Sequence, residues 1–156
     1  MNLNTLMELS AVAVVPVTSA SGQTPELSRT KPAARILVVD DEPDIVKSLS
    51  RRLRSHGYEV ATASDGHEAT RLAYKMVPDI VILDIGMPCG DGHTVADRLK
   101  CNVGTMLSQI IFLTARTGDN DRQKAMLAGA FGYMTKPFSS EDLIRMIEEA
   151  LHDDLF

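Results

Sequence analysis

One segment carries the strongest structural signal in this chain: Pro78-Asp79-Ile80-Val81-Ile82-Leu83-Asp84-Ile85-Gly86-Met87-Pro88. The aliphatic run from Ile80 to Leu83 lies between a proline and a segment rich in glycine and proline, which predicts a short strand buried on both faces. A strand of this kind belongs to a parallel sheet that is covered by helices. Asp84 follows the strand directly, and open α/β sheets bind their ligands at that carboxyl edge. Asp84 is therefore the first candidate site residue.

Outward from this segment, a short apolar strand followed by a helix occurs five times from Arg35 onward. Helix 119–127 is only weakly amphipathic, and the last helix is expected to begin with a capping box of Ser139 and Asp142. Five such units joined by right-handed crossovers predict a doubly wound α/β sheet. The predicted strands are 36–39, 58–63, 80–83, 110–113 and 131–135, and the helices begin at Pro43, at Ser64 or Asp65, at His93, at Asp119 and after Ser139.

Length and composition fit a soluble protein of one domain. A chain of 156 residues with 44% apolar and 24% charged residues is long enough for a full core and ordinary for a globular protein. The net charge of −5 argues against a nucleic-acid surface, for which a basic stripe would be expected. No apolar run approaches the ~20 residues of a membrane span. Cys89 and Cys101 form no CxxC pair, so we expect reduced thiols in a cytoplasmic protein.

Residues 1–33 differ in composition from the rest of the chain. They are rich in serine, threonine and proline, which predicts a flexible N-terminal extension. Their apolar run 11–17 leaves a secretory signal open as an alternative, although Met1 to Ser10 lacks the basic residues that such a signal requires. The globular domain is then expected over 34–152, with a short tail at 153–156.

Polar side chains follow four of the predicted strands at the point where each strand ends. Asp40 and Asp41 follow the first strand, Asp84 the third, Thr114 the fourth and Lys136 the fifth. Carboxylates that converge at one edge repel each other, and a hard cation with oxygen ligands, such as Mg²⁺, would compensate them. A lysine and a hydroxyl beside the cation suit a bridging anion such as a phosphoryl group. Each residue alone could be a helix cap, a strand residue or a surface charge, but their joint placement favours a site.

These motifs resemble the receiver domain of two-component response regulators throughout residues 34–152. The resemblance implies that Asp84 accepts a phosphoryl group from a histidine kinase or a phosphotransfer protein, as a switch and not as an enzyme. It also implies a flavodoxin-like five-stranded parallel sheet in the order 2-1-3-4-5 with helices on both faces. The matching pieces are Leu37-Val38-Val39-Asp40-Asp41-Glu42, Asp79-Ile80-Val81-Ile82-Leu83-Asp84, Met87-Pro88, Asp91-Gly92, Leu113-Thr114-Ala115, Gly129-Ala130 and Lys136-Pro137-Phe138.

The same resemblance implies a role for each site residue. Thr114 and Lys136 would contact the phosphoryl oxygens, and the Lys136–Pro137 peptide bond would be cis. Tyr133 matches the aromatic switch position and would turn from an exposed to an inward rotamer after phosphorylation. The implied ligands of Mg²⁺ are Asp40, Asp41, Asp84 and the backbone carbonyl of Gly86.

The sequence departs from the family pattern near the site. Gly90 stands where the family usually has a bulky apolar residue, often methionine. Gly86 and Arg116 lie two residues after Asp84 and Thr114, at positions that tune the lifetime of the phosphoryl group in the family. Glycine leaves the first position open to water, whereas the arginine could cover the phosphoryl group or be solvated. The sign of the net effect stays open.

No output domain is recognisable after the last helix, which indicates a stand-alone receiver that acts through a downstream partner protein. We expect no direct contact with nucleic acid or membrane. The predicted readout surface consists of helix 119–128, strand 131–135 and helix 139–151. A basic row on the first helix, Lys47, Arg51 and Arg54, is either a docking edge for the phosphodonor or an ordinary solvated face. The four histidines match no metal-binding spacing, so we expect them at surface or loop positions.

Two other classes of protein compete with this interpretation. A hydrolase with an aspartyl-phosphate intermediate would want a second acidic residue two positions after the nucleophile, where this chain has Gly86. A scaffold with a receiver fold that is never phosphorylated would be expected to lack Asp84, Lys136 or a member of the acidic pair, and all of them are present.

Overall fold

The computed structural model of the protein describes residues 31–153. The predicted extension, apart from residues 31–33, and the tail beyond Asp153 lie outside the described residues, so both stay predictions. Strands and helices alternate along the chain as expected, with boundaries that differ from the predicted ones by a residue or so. The elements are β1 (Arg35–Val39), α1 (Pro43–Ser55), β2 (Glu59–Ala63), α2 (Gly66–Met76), β3 (Ile80–Leu83), α3 (Gly92–Lys100), β4 (Gln109–Thr114), α4 (Asp119–Leu127), β5 (Gly132–Thr135) and α5 (Ser140–Asp153).

The five strands form one parallel sheet in the order β2-β1-β3-β4-β5, which confirms the predicted fold. Val39 pairs with Leu83, so the ends of β1 and β3 lie side by side. Leu83 pairs with Phe112, and β4 continues past this pair to Thr114. Because all strands run in one direction, the residues that come after them meet at one edge of the sheet. This register places Asp40 next to Asp84.

Alternate residues of each strand feed two separate apolar layers. Leu37 and Leu83 face the layer that α2, α3 and α4 cover, whereas Ile36 and Ile82 face the layer under α1 and α5. All four side chains are at most 2% exposed. Burial on both faces explains why the strands are uninterrupted aliphatic runs. The two layers hold the sheet rigid and leave only its edges for polar side chains.

The helix ends agree with the sequence signals, with one correction. Asp65 caps α2 by accepting the N–H groups of His67 and Glu68. At α5 the Ser139 hydroxyl oxygen accepts the Asp142 N–H at 3.3 Å, but the hydroxyl itself donates to the Glu141 carboxylate at 3.0 Å. The predicted capping box was therefore wrong in one part. The carboxylate that accepts a hydrogen bond from Ser139 is that of Glu141 and not that of Asp142.

Helix α4 is held less firmly than the other helices. It buries only Ala125, and its N-cap residue Gly118 supplies no side-chain hydrogen bond. The predicted weak amphipathicity is confirmed, since its remaining side chains are exposed or half-buried. A helix with so few buried contacts belongs to the low-stability part of a fold.

The fold also bears on three smaller expectations. Between residues 31 and 153, no helix has the length and apolar character that crossing a membrane requires. Cys89 and Cys101 are both free and exposed. The peptide bond between Lys136 and Pro137 is cis, as expected.

Candidate functional site

Three carboxylates meet at the carboxyl edge of the sheet. Asp40 and Asp84, which come directly after β1 and β3, are 3% and 7% exposed, whereas Asp41 is open to solvent. One oxygen from each lies within 4.8 Å of the others. Carboxylate oxygens at this spacing, with one side facing water, fit a hard cation such as Mg²⁺ that keeps several water ligands. The predicted acidic cluster is thus assembled in the fold.

Backbone hydrogen bonds orient the two buried carboxylates. The Asp40 N–H donates to the carbonyl of Ala63, and the Asp84 N–H donates to the carbonyl of Val39. Asp84 Oδ1 accepts the N–H of Gly86 at 3.2 Å. These bonds fix both side chains at the strand ends and leave Asp84 Oδ2 directed toward the rest of the cluster.

The loop after Asp84 folds back tightly onto the strand. The Gly92 N–H donates to the carbonyl of Ile85, and a Cβ atom at Gly92 would lie 2.3 Å from the carbonyl oxygen of Asp84. Only glycine fits there. Gly90 has a φ of +142°, and a Cβ atom there would lie 3.3 Å from Gly66 Cα at the start of α2. This close approach explains the glycine that departs from the family pattern.

Lys136 supplies the positive charge of the site. Its Nζ lies 2.7 Å from Asp40 Oδ2 and 3.6 Å from Asp84 Oδ2, and its side chain is 11% exposed. It also lies 3.0 Å from Glu42 Oε1. This contact of Glu42 was not predicted, although the run Asp40-Asp41-Glu42 offered the signal. The lysine therefore neutralises part of the acidic cluster.

The charges of this cluster are out of balance. Burial raises the pKa of the Asp40 carboxyl, and the hydrogen bonds from Lys136 and from the Glu42 N–H lower it only in part. For Lys136, burial alone would lower the pKa, but its hydrogen bonds to Asp40 and Glu42 outweigh burial and raise the pKa of the ammonium. The shift of Lys136 indicates an ammonium that faces several carboxylates, whereas the shift of Asp40 chiefly reflects its burial.

Thr114 and Arg116 flank the cluster at the end of β4. Thr114 is 1% exposed, and its Oγ1 accepts the Arg116 N–H at 3.2 Å. The Arg116 side chain extends past Gly86, where a Cβ atom would lie 3.7 Å from its Nε. Its Nη1 lies 3.8 Å from Asp121 Oδ1, and half of the side chain is exposed. From the sequence, Arg116 could either cover the phosphoryl group or be solvated. In the structure its side chain lies beside Gly86 and extends toward Asp121 on α4.

Tyr133 does not have the exposed starting position that was expected from the sequence. Its side chain is inward, the residue is 9% exposed, and its hydroxyl donates to the Arg116 carbonyl at 2.8 Å. Its ring centroid lies 6.3 Å from that of Phe112. Ring packing and one hydrogen bond together stabilise the inward rotamer, so the expected exposed rotamer is wrong for this structure.

His93 also lies in a place that differs from the expected one. It was expected at the surface or in a loop, but it lies in the first turn of α3 with a side chain that is 15% exposed. Its ring centroid lies 5.2 Å from that of Phe112. The other three histidines, His56, His67 and His152, are exposed as expected. The place of His93 at the start of a predicted helix did not indicate that its side chain would pack against Phe112 on β4.

Comparison with known proteins gives one consistent answer. A family model described as the response regulator receiver domain matches residues 36–148. Transcriptional regulatory protein KdpE of Mycobacterium tuberculosis is 40% identical over 116 residues, which are 74% of this chain and 50% of KdpE. The chain spans about half the length of this and similar curated relatives that it matches.

Solved structures agree with this match. Chemotaxis protein CheY4 of Vibrio cholerae has a TM-score of 0.73 at 34% identity, covering 76% of this chain and 99% of CheY4. The receiver domain of the sensor histidine kinase PA1611 of Pseudomonas aeruginosa, with magnesium in its active site cleft, has a TM-score of 0.71 at 30% identity. That alignment covers 77% of this chain and 98% of the PA1611 domain.

The raised pKa of the buried Asp40 carboxyl predicts how the free energy of unfolding changes in Asp40→Asn. The folded-state pKa of Asp40 is raised, so ionisation of this carboxyl costs stability. This cost is absent below the unfolded-state pKa and grows as pH rises through the folded-state pKa. Without divalent cations, Asp40→Asn should therefore raise the free energy of unfolding at neutral pH, and the gain should disappear toward about pH 4.

Urea unfolding of chelator-treated protein measures this effect. Asp97→Asn makes the same chemical change on an exposed face of α3 and serves as the control. If Asp40→Asn is no more stable than the wild type at neutral pH, ionisation of Asp40 does not carry the predicted cost in stability.

Proposed function

The chain belongs to the family of response regulator receiver domains, and we propose that Asp84 is its phosphoacceptor. Receiver domains are phosphorylated by histidine kinases or by phosphotransfer proteins, and we assign a donor of this kind to Asp84. The observation that carries the proposal is the placement of Asp84 Oδ2, 3.6 Å from Lys136 Nζ and beside Asp40 and Asp41. A carboxylate nucleophile needs no general base when its donor supplies an activated phosphoryl group.

The residues around Asp84 fit the electrostatic demands of phosphoryl transfer. In-line transfer depends mainly on positioning and on neutralising the charge of the phosphoryl oxygens. Lys136 is close enough to exchange its contact with Asp40 for one with a phosphoryl oxygen on Asp84. Thr114 is buried at the end of the neighbouring strand and offers a hydroxyl donor to the same group.

Magnesium is the cofactor that this donor set suits. We propose that the carboxylates of Asp40, Asp41 and Asp84 and the backbone carbonyl of Gly86 hold it. When bound, the cation would neutralise negative charge on the carboxylates and on the transferring phosphoryl group. The protein residues would then position the acceptor oxygen and the lysine. Gly86 stands where a hydrolase of the alternative class would place its second acidic residue, and Arg116 lies beside it.

We propose that phosphorylation is read on the surface made by α4, β5 and α5. A phosphoryl group adds a charge of about −1.5 to −2 at the end of β3. This charge would draw the Thr114 hydroxyl toward Asp84 and move the loop 115–118, whose Arg116 carbonyl accepts the Tyr133 hydroxyl. Because the inward rotamer is already present, phosphorylation would stabilise it against an exposed one. Helix α4 has few buried contacts, so it can move with the loop.

The same surfaces indicate where partners would bind. A downstream protein would bind the face made by α4, β5 and α5. The phosphodonor would dock along α1 beside Asp41, where Lys47 and Arg51 are exposed. Arg54 is also exposed but donates to the Val60 carbonyl at 3.0 Å, so it is the least available of the predicted basic row.

Asp84→Ala should abolish phosphorylation, because no other carboxylate among residues 31–153 has the position of Asp84 Oδ2. Wild-type protein incubated with acetyl phosphate should incorporate a phosphoryl group only when Mg²⁺ is present. Intact-protein mass spectrometry measures the incorporation. Asp97→Asn, on the exposed face of α3, should be phosphorylated like the wild type. Undiminished Mg²⁺-dependent incorporation in Asp84→Ala would refute the assignment.

The phosphoryl mimic beryllofluoride should change the environment of Tyr133 and of α4. In an NMR titration, amide shifts should appear in the loop 115–118, in α4 and in β5, besides those near Asp84 itself. Asp84→Ala should show none of them, because it cannot bind the mimic. Shifts confined to α1 and α2, with Tyr133 and α4 unchanged, would refute the proposed readout surface.

A further inference from the structure

His93 is a buried polar side chain that the proposed phosphoryl chemistry does not use. Its side chain is 15% exposed, both ring nitrogens are shielded from solvent, and neither has a hydrogen-bond partner among residues 31–153. One ring face packs against Phe112 at a centroid distance of 5.2 Å. Shielding the nitrogens of an imidazole without a partner costs free energy. An apolar side chain would fill this place without that cost.

A carboxylate lies close to the shielded ring. His93 Nε2 is 3.7 Å from Asp121 Oδ1, and Arg116 Nη1 is 3.8 Å from the same oxygen. These distances are too long for hydrogen bonds, but they are short for charges in a site where the Asp121 side chain is only 22% exposed. Asp121 thus lies between α3, which carries His93, and the loop that carries Arg116.

These contacts join the parts of the molecule that are proposed to move. Asp121 belongs to the first turn of α4. The N-cap residue of this helix, Gly118, offers no side-chain cap, and Ala125 is its one buried side chain. The Arg116 carbonyl also accepts the Tyr133 hydroxyl. Any interaction that holds Arg116 and Asp121 in place therefore resists the movement of the loop 115–118 that the proposed readout requires.

We propose that His93, Asp121 and Arg116 form an electrostatic latch that fixes the first turn of α4 and the loop 115–118, and that the latch is strongest when His93 is protonated. The inference rests on the proposed function for its consequence, which is that the ease of switching depends on pH. Histidine is the side chain whose charge changes between about pH 5 and 8. A charged imidazole would attract the Asp121 carboxylate. With a neutral imidazole, Asp121 would keep only the charge of Arg116 in this latch.

Two further carboxylates lie near His93 along its own helix. Asp91 at the start of its own helix accepts the His93 N–H at 3.2 Å, and Asp97 lies one turn further along α3. Arg116 carries the positive charge on the loop that the latch holds. Tyr133 on β5 also packs against Phe112 and is neutral over this range, because burial raises the pKa of its phenol. Lower pH should therefore tighten the latch.

The test compares the affinity for beryllofluoride with Mg²⁺ at about pH 6 and about pH 8. In the wild type the latch should oppose the bound state at the lower pH, because binding moves the loop 115–118 and α4. The ratio of the affinity at about pH 6 to that at about pH 8 should therefore be lower in the wild type than in His93→Leu. An ion pair of this exposure changes an equilibrium by about 1.5- to 5-fold, which is the expected difference between the ratios. Asp121→Asn should raise the ratio equally, and the double variant should raise it no further.

His67→Leu is the matched control, since it removes an exposed histidine from α2. Its affinity ratio should equal that of the wild type. If His93→Leu and Asp121→Asn both keep the wild-type ratio, the latch is refuted. If His93→Leu fails to fold, the less disruptive Asp121→Asn decides alone.

A failure of the latch can be told from a failure of the proposed function. If beryllofluoride binds at neither pH, the proposed function fails, and the latch is measured in the unliganded protein. Amide shifts of residues 116–122 should then change between the two pH values in the wild type and in His67→Leu, but not in His93→Leu. Equal changes in all three proteins would overturn the latch.

Discussion

The repulsion between carboxylates at the end of β1 and β3 is the constraint on which the site depends. Asp40 and Asp84 are buried beside each other because their strands pair in the sheet, and Asp41 completes the cluster from the solvent side. One ammonium, that of Lys136, offsets part of this charge, and burial keeps the pKa of Asp40 raised. The sheet enforces this arrangement, since its two apolar layers would have to be disrupted to separate the strand ends. A cation is the ligand that such an imbalance favours, and with a cation bound the site can accept a negatively charged phosphoryl group.

The rest of the molecule divides into a rigid part and a movable part. The sheet with α1, α2, α3 and α5 is anchored by buried apolar side chains, whereas α4 is anchored mainly at Ala125 and by charges around Asp121. Tyr133 lies at the boundary, with its ring against Phe112 and its hydroxyl on the Arg116 carbonyl. A small displacement at Thr114 can therefore reach the surface through one loop, because packed side chains change between discrete arrangements.

The fold and the acidic site could be predicted because both result from local patterns and from one rule of topology. Aliphatic runs such as Ile80 to Leu83 identify strands, and parallel strands bring the residues after them to one edge. The contact of Glu42 with Lys136, the burial of His93 and the inward rotamer of Tyr133 depend instead on neighbours distant in sequence. A helix N-terminus or a short strand carries no local signal for which element will pack against it. The glycine at position 90 also depends on a residue distant in sequence, since it is Gly66 at the start of α2 that approaches it closely.

The most direct measurement of the central claim, a Mg²⁺ site built on uncompensated carboxylates, is the free energy of unfolding as a function of Mg²⁺ concentration. A cation that binds only the folded protein should add about 1.4 kcal/mol at ten times its dissociation constant and continue to rise logarithmically. Asp41→Asn is the informative variant, because it removes one carboxylate without removing a partner of Lys136. It should shift the dependence to higher Mg²⁺ concentrations. A folded wild-type protein whose stability is indifferent to millimolar Mg²⁺ would contradict the claim.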